Sequence, residues 1–151
     1  MNPDKAIREI MTTKLVTVSP DRPAKAIQDI FREKDFHHIP VIDKGEQLVG
    51  IISKEDVFKV AHVLSLQTTG KAYSEKEYTR LTAADIMTRY PITLDPDDTI
   101  GLAADIFLAN KFHALPIVED NRLVGLITTH DLLNFSFNNV EVEKEEEAYE
   151  E

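Results

Sequence analysis

The chain has 151 residues, 42% of them apolar, a formal charge of −10 and no cysteine. That length suffices for one compact domain that buries roughly 68–70% of its unfolded surface, and the lack of cysteine excludes disulfides, thiolate metal sites and a cysteine nucleophile, in keeping with a reducing, cytoplasmic setting. Acidity without a basic stripe argues against nucleic acid, and there is neither an apolar run of about 18 residues nor an export-type leader at Met1-Asn2-Pro3-Asp4-Lys5 to suggest a membrane.

The first β-rich run is Leu15-Val16-Thr17-Val18, closed by a turn at Ser19-Pro20-Asp21-Arg22. Pro23 fits the first position of a helix whose apolar stripe is Ala24, Ile27, Ile30 and Phe31, ending at Asp35 and Phe36. Ile39-Pro40-Val41-Ile42 and Leu48-Val49-Gly50-Ile51-Ile52 then form a hairpin across Asp43-Lys44-Gly45. Ser53 opens a second helix, with Val57, Val60, Ala61 and Leu64 on one face, until Thr68-Thr69-Gly70 stops it. Lys71 to Arg80 reads as a linker leading to a capped helix at Thr82-Ala83-Ala84-Asp85. Next come a strand at Ile92-Thr93-Leu94, a helix from Thr99 to Ala109 capped by Asp98, a hairpin turning at Asp120-Asn121, and a last helix from Thr128. Seven acids against Lys144 from Glu141 to the end make residues 138–151 an acidic, disordered tail and leave −4 of the −10 for the rest.

The order is therefore β-α-β-β-α, twice, and the residues themselves repeat. Ile10-Met11-Thr12 returns as Ile86-Met87-Thr88, and Phe36-His37-His38-Ile39-Pro40 returns as Phe112-His113-Ala114-Leu115-Pro116. Leu48 to Asp56 likewise returns as Leu123 to Asp131. The expected fold class is α/β (α+β): two β-α-β-β-α repeats packed as a pseudo-two-fold pair with a cleft between them. Residues 6–66 form the first repeat, 67–81 the linker and 82–137 the second repeat, each repeat opening with a short helix that ends in Ile-Met-Thr.

Chemistry concentrates at Gly50-Ile-Ile-Ser53-Lys54-Glu-Asp56 and Gly125-Leu-Ile-Thr128-Thr-His130-Asp131. A hydroxyl and a carboxylate three residues apart at a strand-to-helix junction form a capping box. The same pair also suits a nucleotide: the carboxylate accepts from two vicinal ribose hydroxyls while the hydroxyl and free N–H groups of the helix start face phosphate. Lys54 and Arg89 are candidate cations for that phosphate, and His130 lies near it. The glycines admit a ligand or a neighbouring backbone close to the strand. His37 and His38 point to opposite faces of an extended segment, which argues against shared metal ligation. There is no carboxylate pair, activated nucleophile or Gly-rich phosphate loop, so no enzyme is expected.

The doubled set Ile-Met-Thr, Phe-His-x-(Ile/Leu)-Pro-(Val/Ile) and Leu-Val-Gly-x-Ile-(Ser/Thr)-x-x-Asp resembles a pair of CBS (cystathionine β-synthase) domains over residues 6 to about 135. The resemblance implies a stand-alone regulatory module that needs no cofactor, binds AMP, ADP or ATP between its repeats and modulates a partner protein. It carries ribose binding to Asp56 and Asp131, and phosphate or ribose contacts to Ser53 and Thr128. It places the base among Val16, Ile92, His37, His38, His113 and Ala114, with Lys14, Pro40 and Pro116 beside them. It also implies a homodimer. The competing readings are a ligand-free dimerisation and assembly module, an S-adenosylmethionine sensor and a divalent-cation sensor.

Overall fold

The computed structural model describes residues 2–67 and 80–137. The helix stop at Thr68-Thr69-Gly70, most of the linker and the acidic tail lie outside these residues. A 3-10 turn at Ile7–Glu9 precedes α1 (Ala24–Glu33), β1 (His38–Ile42), β2 (Leu48–Ser53) and α2 (Lys54–Gln67). Then follow α3 (Ala83–Ile86), β3 (Thr88–Arg89), α4 (Ile100–Ala109), β4 (Ala114–Glu119) and β5 (Arg122–Thr128). Residues 129–137 form α5. Among the described residues no helix is long and apolar enough to cross a membrane.

The chain divides into two compact units that exchange their leading segments. Residues 15–91 form one unit, while residues 1–14 join the chain from Ile92 onward in the other. The Ile-Met-Thr of each repeat thus packs with the β-hairpin of the other repeat. In the 15–91 unit, β3 adds antiparallel to β2, pairing Thr88 with Ile51 and Arg89 with Gly50. In the other unit Thr12 takes the same place, its N–H donating to the Leu126 carbonyl at 2.8 Å and its carbonyl accepting from the Leu126 N–H at 2.9 Å.

Gly50 and Gly125 permit this approach. A Cβ on Gly125 would lie 2.7 Å from Met11 Sδ and 3.1 Å from the Thr12 carbonyl oxygen. On Gly50 it would lie 2.8 Å from Met87 Cγ and 3.0 Å from the Thr88 carbonyl oxygen. The close neighbour that the sequence called for at both glycines is therefore protein backbone and a methionine of the exchanged segment.

Both hairpins are antiparallel. β1 and β2 pair from His38 with Ser53, and β4 and β5 from Ala114 with Thr128. The second turns on Asp120 and Asn121, whose φ angles of 52° and 65° give the mirror-image turn that matches strand twist. In the first turn, Asp43 Oδ1 accepts from the Gly45 and Gln47 N–H groups at 2.9 and 3.0 Å.

The two expected leading strands are corrected to single parallel bridges, Val18 with Val41 and Leu94 with Ile117. The Val18 N–H donates to the Pro40 carbonyl and the Ile42 N–H to the Val18 carbonyl, at 3.1 and 3.0 Å. To extend this ladder by two residues, Val16 would need an N–H from position 40, and proline has none. Pro116 blocks Ile92 in the same way. Two helix starts also differ from expectation. Pro23 sits at the N-cap of α1 rather than its first turn, and α1 ends at Glu33, before Asp35. Thr99, not Asp98, caps α4, accepting from the Leu102 N–H at 3.1 Å. The Asp98 carboxylate is drawn instead to the Asp95 N–H at 2.8 Å, inside the preceding turn.

Each unit has its own core. Ile27, Phe31, Ile39, Val41, Ile52, Val57 and Ala83 fill the 15–91 unit, and α2 lays Val60, Ala61 and Leu64 against them on the expected face. Ile7, Ala103, Phe107, Leu115, Ile117 and Ile127 fill the other. The ring pairs Phe31–Phe36 and Phe107–Phe112 repeat one edge-to-face contact, with centroids 6.1 and 6.4 Å apart.

Candidate functional site

Each unit presents one strand-to-helix junction. In the 15–91 unit the last residue of β2 is Ser53, whose Oγ accepts from the Asp56 N–H at 3.1 Å and so caps α2. The first helical N–H, that of Lys54, donates to the His37 carbonyl at 2.8 Å, and His38 pairs with Ser53 across the hairpin. His37, His38, Ser53, Lys54 and Asp56 are thereby gathered at one helix start. Asp56 and His37 are exposed, whereas Lys54 is half-buried.

The other unit repeats the arrangement. The Asp131 N–H donates to Thr128 Oγ1 at 3.1 Å, the Thr128 N–H donates to Asp131 Oδ2 at 3.0 Å, and the Thr129 N–H donates to the His113 carbonyl at 3.0 Å. This reciprocal pair is a full capping box; at Asp56 only the hydroxyl half of the box is made. His113, Ala114, Thr128, His130 and Asp131 stand together, with Ala114 paired to Thr128.

The two carboxylates differ in a way the motif did not foretell. Asp131 is half-buried and receives the Thr12 hydroxyl at 3.3 Å on each oxygen. Burial pushes its carboxyl above the usual carboxylate range, against the opposing pull of its hydrogen bonds from Thr128 and Thr12 and of nearby His130. Among the described residues no Thr88 bond to Asp56 matches this contact.

A folded-state pKa above the unfolded one means that ionising Asp131 costs stability, so its contribution is fully present at low pH and is lost as pH rises through the raised value. Asp131→Asn keeps an acceptor without a charge. Wild type is therefore expected to lose stability relative to this variant as pH rises just above the ordinary carboxylate range, as read by thermal unfolding at stepped pH. Parallel curves would contradict the burial of a titrating carboxyl.

The remaining candidates divide between the units. Val16 and Ile92 are 38% and 51% exposed, two residues before their bridging partners, and the blocking prolines leave their backbone outside the sheet ladders. Pro40 is fully buried and Pro116 is buried, so their side chains serve the cores while their carbonyls serve the bridges. Lys14 is exposed at the end of its segment. Arg89 turns its guanidinium to the Ala84 carbonyl, a long contact at 3.5 Å.

An acidic trio, Asp95, Asp97 and Glu119, also converges closely enough for cation ligation. Arg8 meets two of the three, Asp97 at 3.3 Å and Glu119 at 2.8 Å, and neutralises part of its charge. The sequence reading missed this cluster because its members sit in a loop and a strand far from Arg8 along the chain.

Comparison with known proteins places these features in context. The CBS domain family matches residues 7–63 and 83–138. The Methanocaldococcus jannaschii protein MJ1426 is 32% identical over 149 residues, covering 84% of this chain and 88% of its own. Inosine-5'-monophosphate dehydrogenase of the same organism is 31% identical over 130 residues, and the match takes in 85% of this chain but 23% of the enzyme. Among solved structures, CBSX2, a CBS-pair protein from Arabidopsis thaliana determined in complex with AMP, has 26% identity and a TM-score of 0.74, with 89% of this chain and 98% of that one covered. With both repeats matched and the duplicated Gly-to-Asp junctions in place, the chain belongs to the CBS domain family.

Proposed function

We propose that this chain is a regulatory module that binds an adenine nucleotide, AMP, ADP or ATP, at its capped helix starts and passes the bound state to a partner protein. The observation that carries the reading is the duplicated hydroxyl and aspartate at a strand-to-helix junction. There, the first and third helical N–H groups are already held, so the N–H of Glu55 or His130, together with the positive end of the helix dipole, suits phosphate, and the carboxylate suits a vicinal diol. The likeness to CBSX2 in its AMP complex supports it. Val16 and Ile92, unpaired because proline faces them, offer apolar surface and free backbone groups to the base. Lys54 supplies a cation to phosphate. Regulation follows only if the nucleotide favours one of two conformations or assemblies.

Ligand at 100 times its dissociation constant adds about 2.7 kcal/mol to stability. A thermal-shift series with AMP, ADP, ATP and S-adenosylmethionine is therefore expected to raise the melting temperature with at least one adenine nucleotide. A response to S-adenosylmethionine alone reassigns the ligand, and no response to any of the four favours the assembly module. Exposed Leu102, Leu108 and Leu133, with 41%, 85% and 58% of their surface accessible, suit a homodimer. Light scattering that finds monomer across micromolar concentrations removes that part.

A further inference from the structure

Asp131 and Asp56 occupy equivalent places in the two repeats but are not equally available. Asp131 already accepts the Thr128 N–H at 3.0 Å and the Thr12 hydroxyl at 3.3 Å on each oxygen. The Thr12 backbone is held in place by two hydrogen bonds of 2.8 and 2.9 Å to Leu126, with Met11 against Gly125 beside it, so only rotation of its side chain can take the hydroxyl off Asp131. A carboxylate has about four lone-pair positions. The single Thr12 proton is shared between the two oxygens and the Thr128 N–H already occupies Oδ2, so a vicinal diol that donates to both oxygens must compete with Thr12 for the remaining position on Oδ2. Asp56 is exposed, and Thr88, the counterpart of Thr12, makes no such bond.

We infer that Thr12 is a positioning residue that holds Asp131 in reserve, so that Asp56 takes the ribose of an adenine nucleotide first and Asp131 takes it second and more weakly. This rests on the nucleotide reading above. It makes the exchanged Ile10-Met11-Thr12 segment the determinant of inequivalence: occupancy at Asp131 requires loosening the Thr12 hydroxyl from the two Asp131 oxygens. The first turn of the chain and the second site are then mechanically linked.

The test uses the full chain with AMP as probe. Calorimetry on wild type is expected to resolve a tight and a weak event. Thr12→Val removes the hydroxyl at constant shape and is expected to tighten the weak event about 2- to 10-fold, the range of one neutral hydrogen bond. Thr12→Ser restores the wild-type value. Asp56→Ala weakens the tight event about 10- to 150-fold and leaves the weak one unchanged. A purely structural role for Thr12 predicts weaker binding in Thr12→Val, and that result, or unchanged affinities, overturns the inference. So does retention of the tight event in Asp56→Ala together with its loss in Asp131→Ala.

A readout without ligand separates the two proposals. A hydroxyl donated to the ionised form lowers a carboxyl pKa, so by carbon NMR the Asp131 carboxyl is expected to titrate at higher pH in Thr12→Val than in wild type. Equal titration curves overturn the Thr12 contact. A shifted curve with no AMP binding in any variant sustains the contact and rejects the nucleotide reading.

Discussion

Asp56→Ala and Asp131→Ala are each expected to weaken AMP binding about 10- to 150-fold at their own unit, the loss of a charge-assisted contact worth roughly 1.5–3 kcal/mol. Their effects on stability should part company. Asp131 completes a reciprocal capping box and receives the Thr12 hydroxyl, so its removal is expected to cost about 0.5–2 kcal/mol as well. The carboxylate of Asp56 closes no such box, and its loss should cost no more than the roughly 0.3–1 kcal/mol of an acid near a helix start. Calorimetric affinity and thermal unfolding measured on the same preparations distinguish the roles. Two variants that keep wild-type affinity would discard both aspartates as ribose ligands, whatever their stability.

Phe31→Ala is expected to have the largest effect on folding, a loss of about 3–5 kcal/mol. Phe31 is fully buried on α1 and stacks edge-to-face on Phe36, so truncation leaves a cavity as well as lost transfer energy. At about 2–4 °C per kcal/mol for a chain of this size, the melting temperature should fall by about 6–20 °C. Urea unfolding gives the free energy directly. A loss below about 1 kcal/mol would mean that the core of the 15–91 unit collapses around the gap or is not centred on Phe31.

The elements were largely legible in the chain. Helical spacing at Ala24, Ile27 and Phe31 identified α1, and Asp120-Asn121 identified the second hairpin turn, because these signals are local: a 3.6-residue period and a turn that demands positive φ. The leading strands were misread for an equally physical reason. Val16 and Ile92 have strand-forming side chains, but their carbonyls would need donors from positions 40 and 116 of the neighbouring strands, and both are prolines. At the candidate site, the hydroxyl-to-aspartate spacing predicted both capping hydroxyls. It was silent on the difference between the aspartates, because burial and the Thr12 bond come from a segment more than a hundred residues away.

By itself, then, the sequence determined the duplicated α-β-β-α order, the two core stripes and the aspartate at each helix start, since all of these follow from periodicity and short-range spacing. Only the tertiary structure decided which Ile-Met-Thr segment meets which glycine. Both repeats carry the same three residues and the same Gly, so local preference is indifferent between packing at home and packing across. Long-range backbone pairing and close contact, Thr12 on Leu126 and Thr88 on Ile51, break that tie in both repeats alike, and the Thr12 hydroxyl then goes on to bond Asp131.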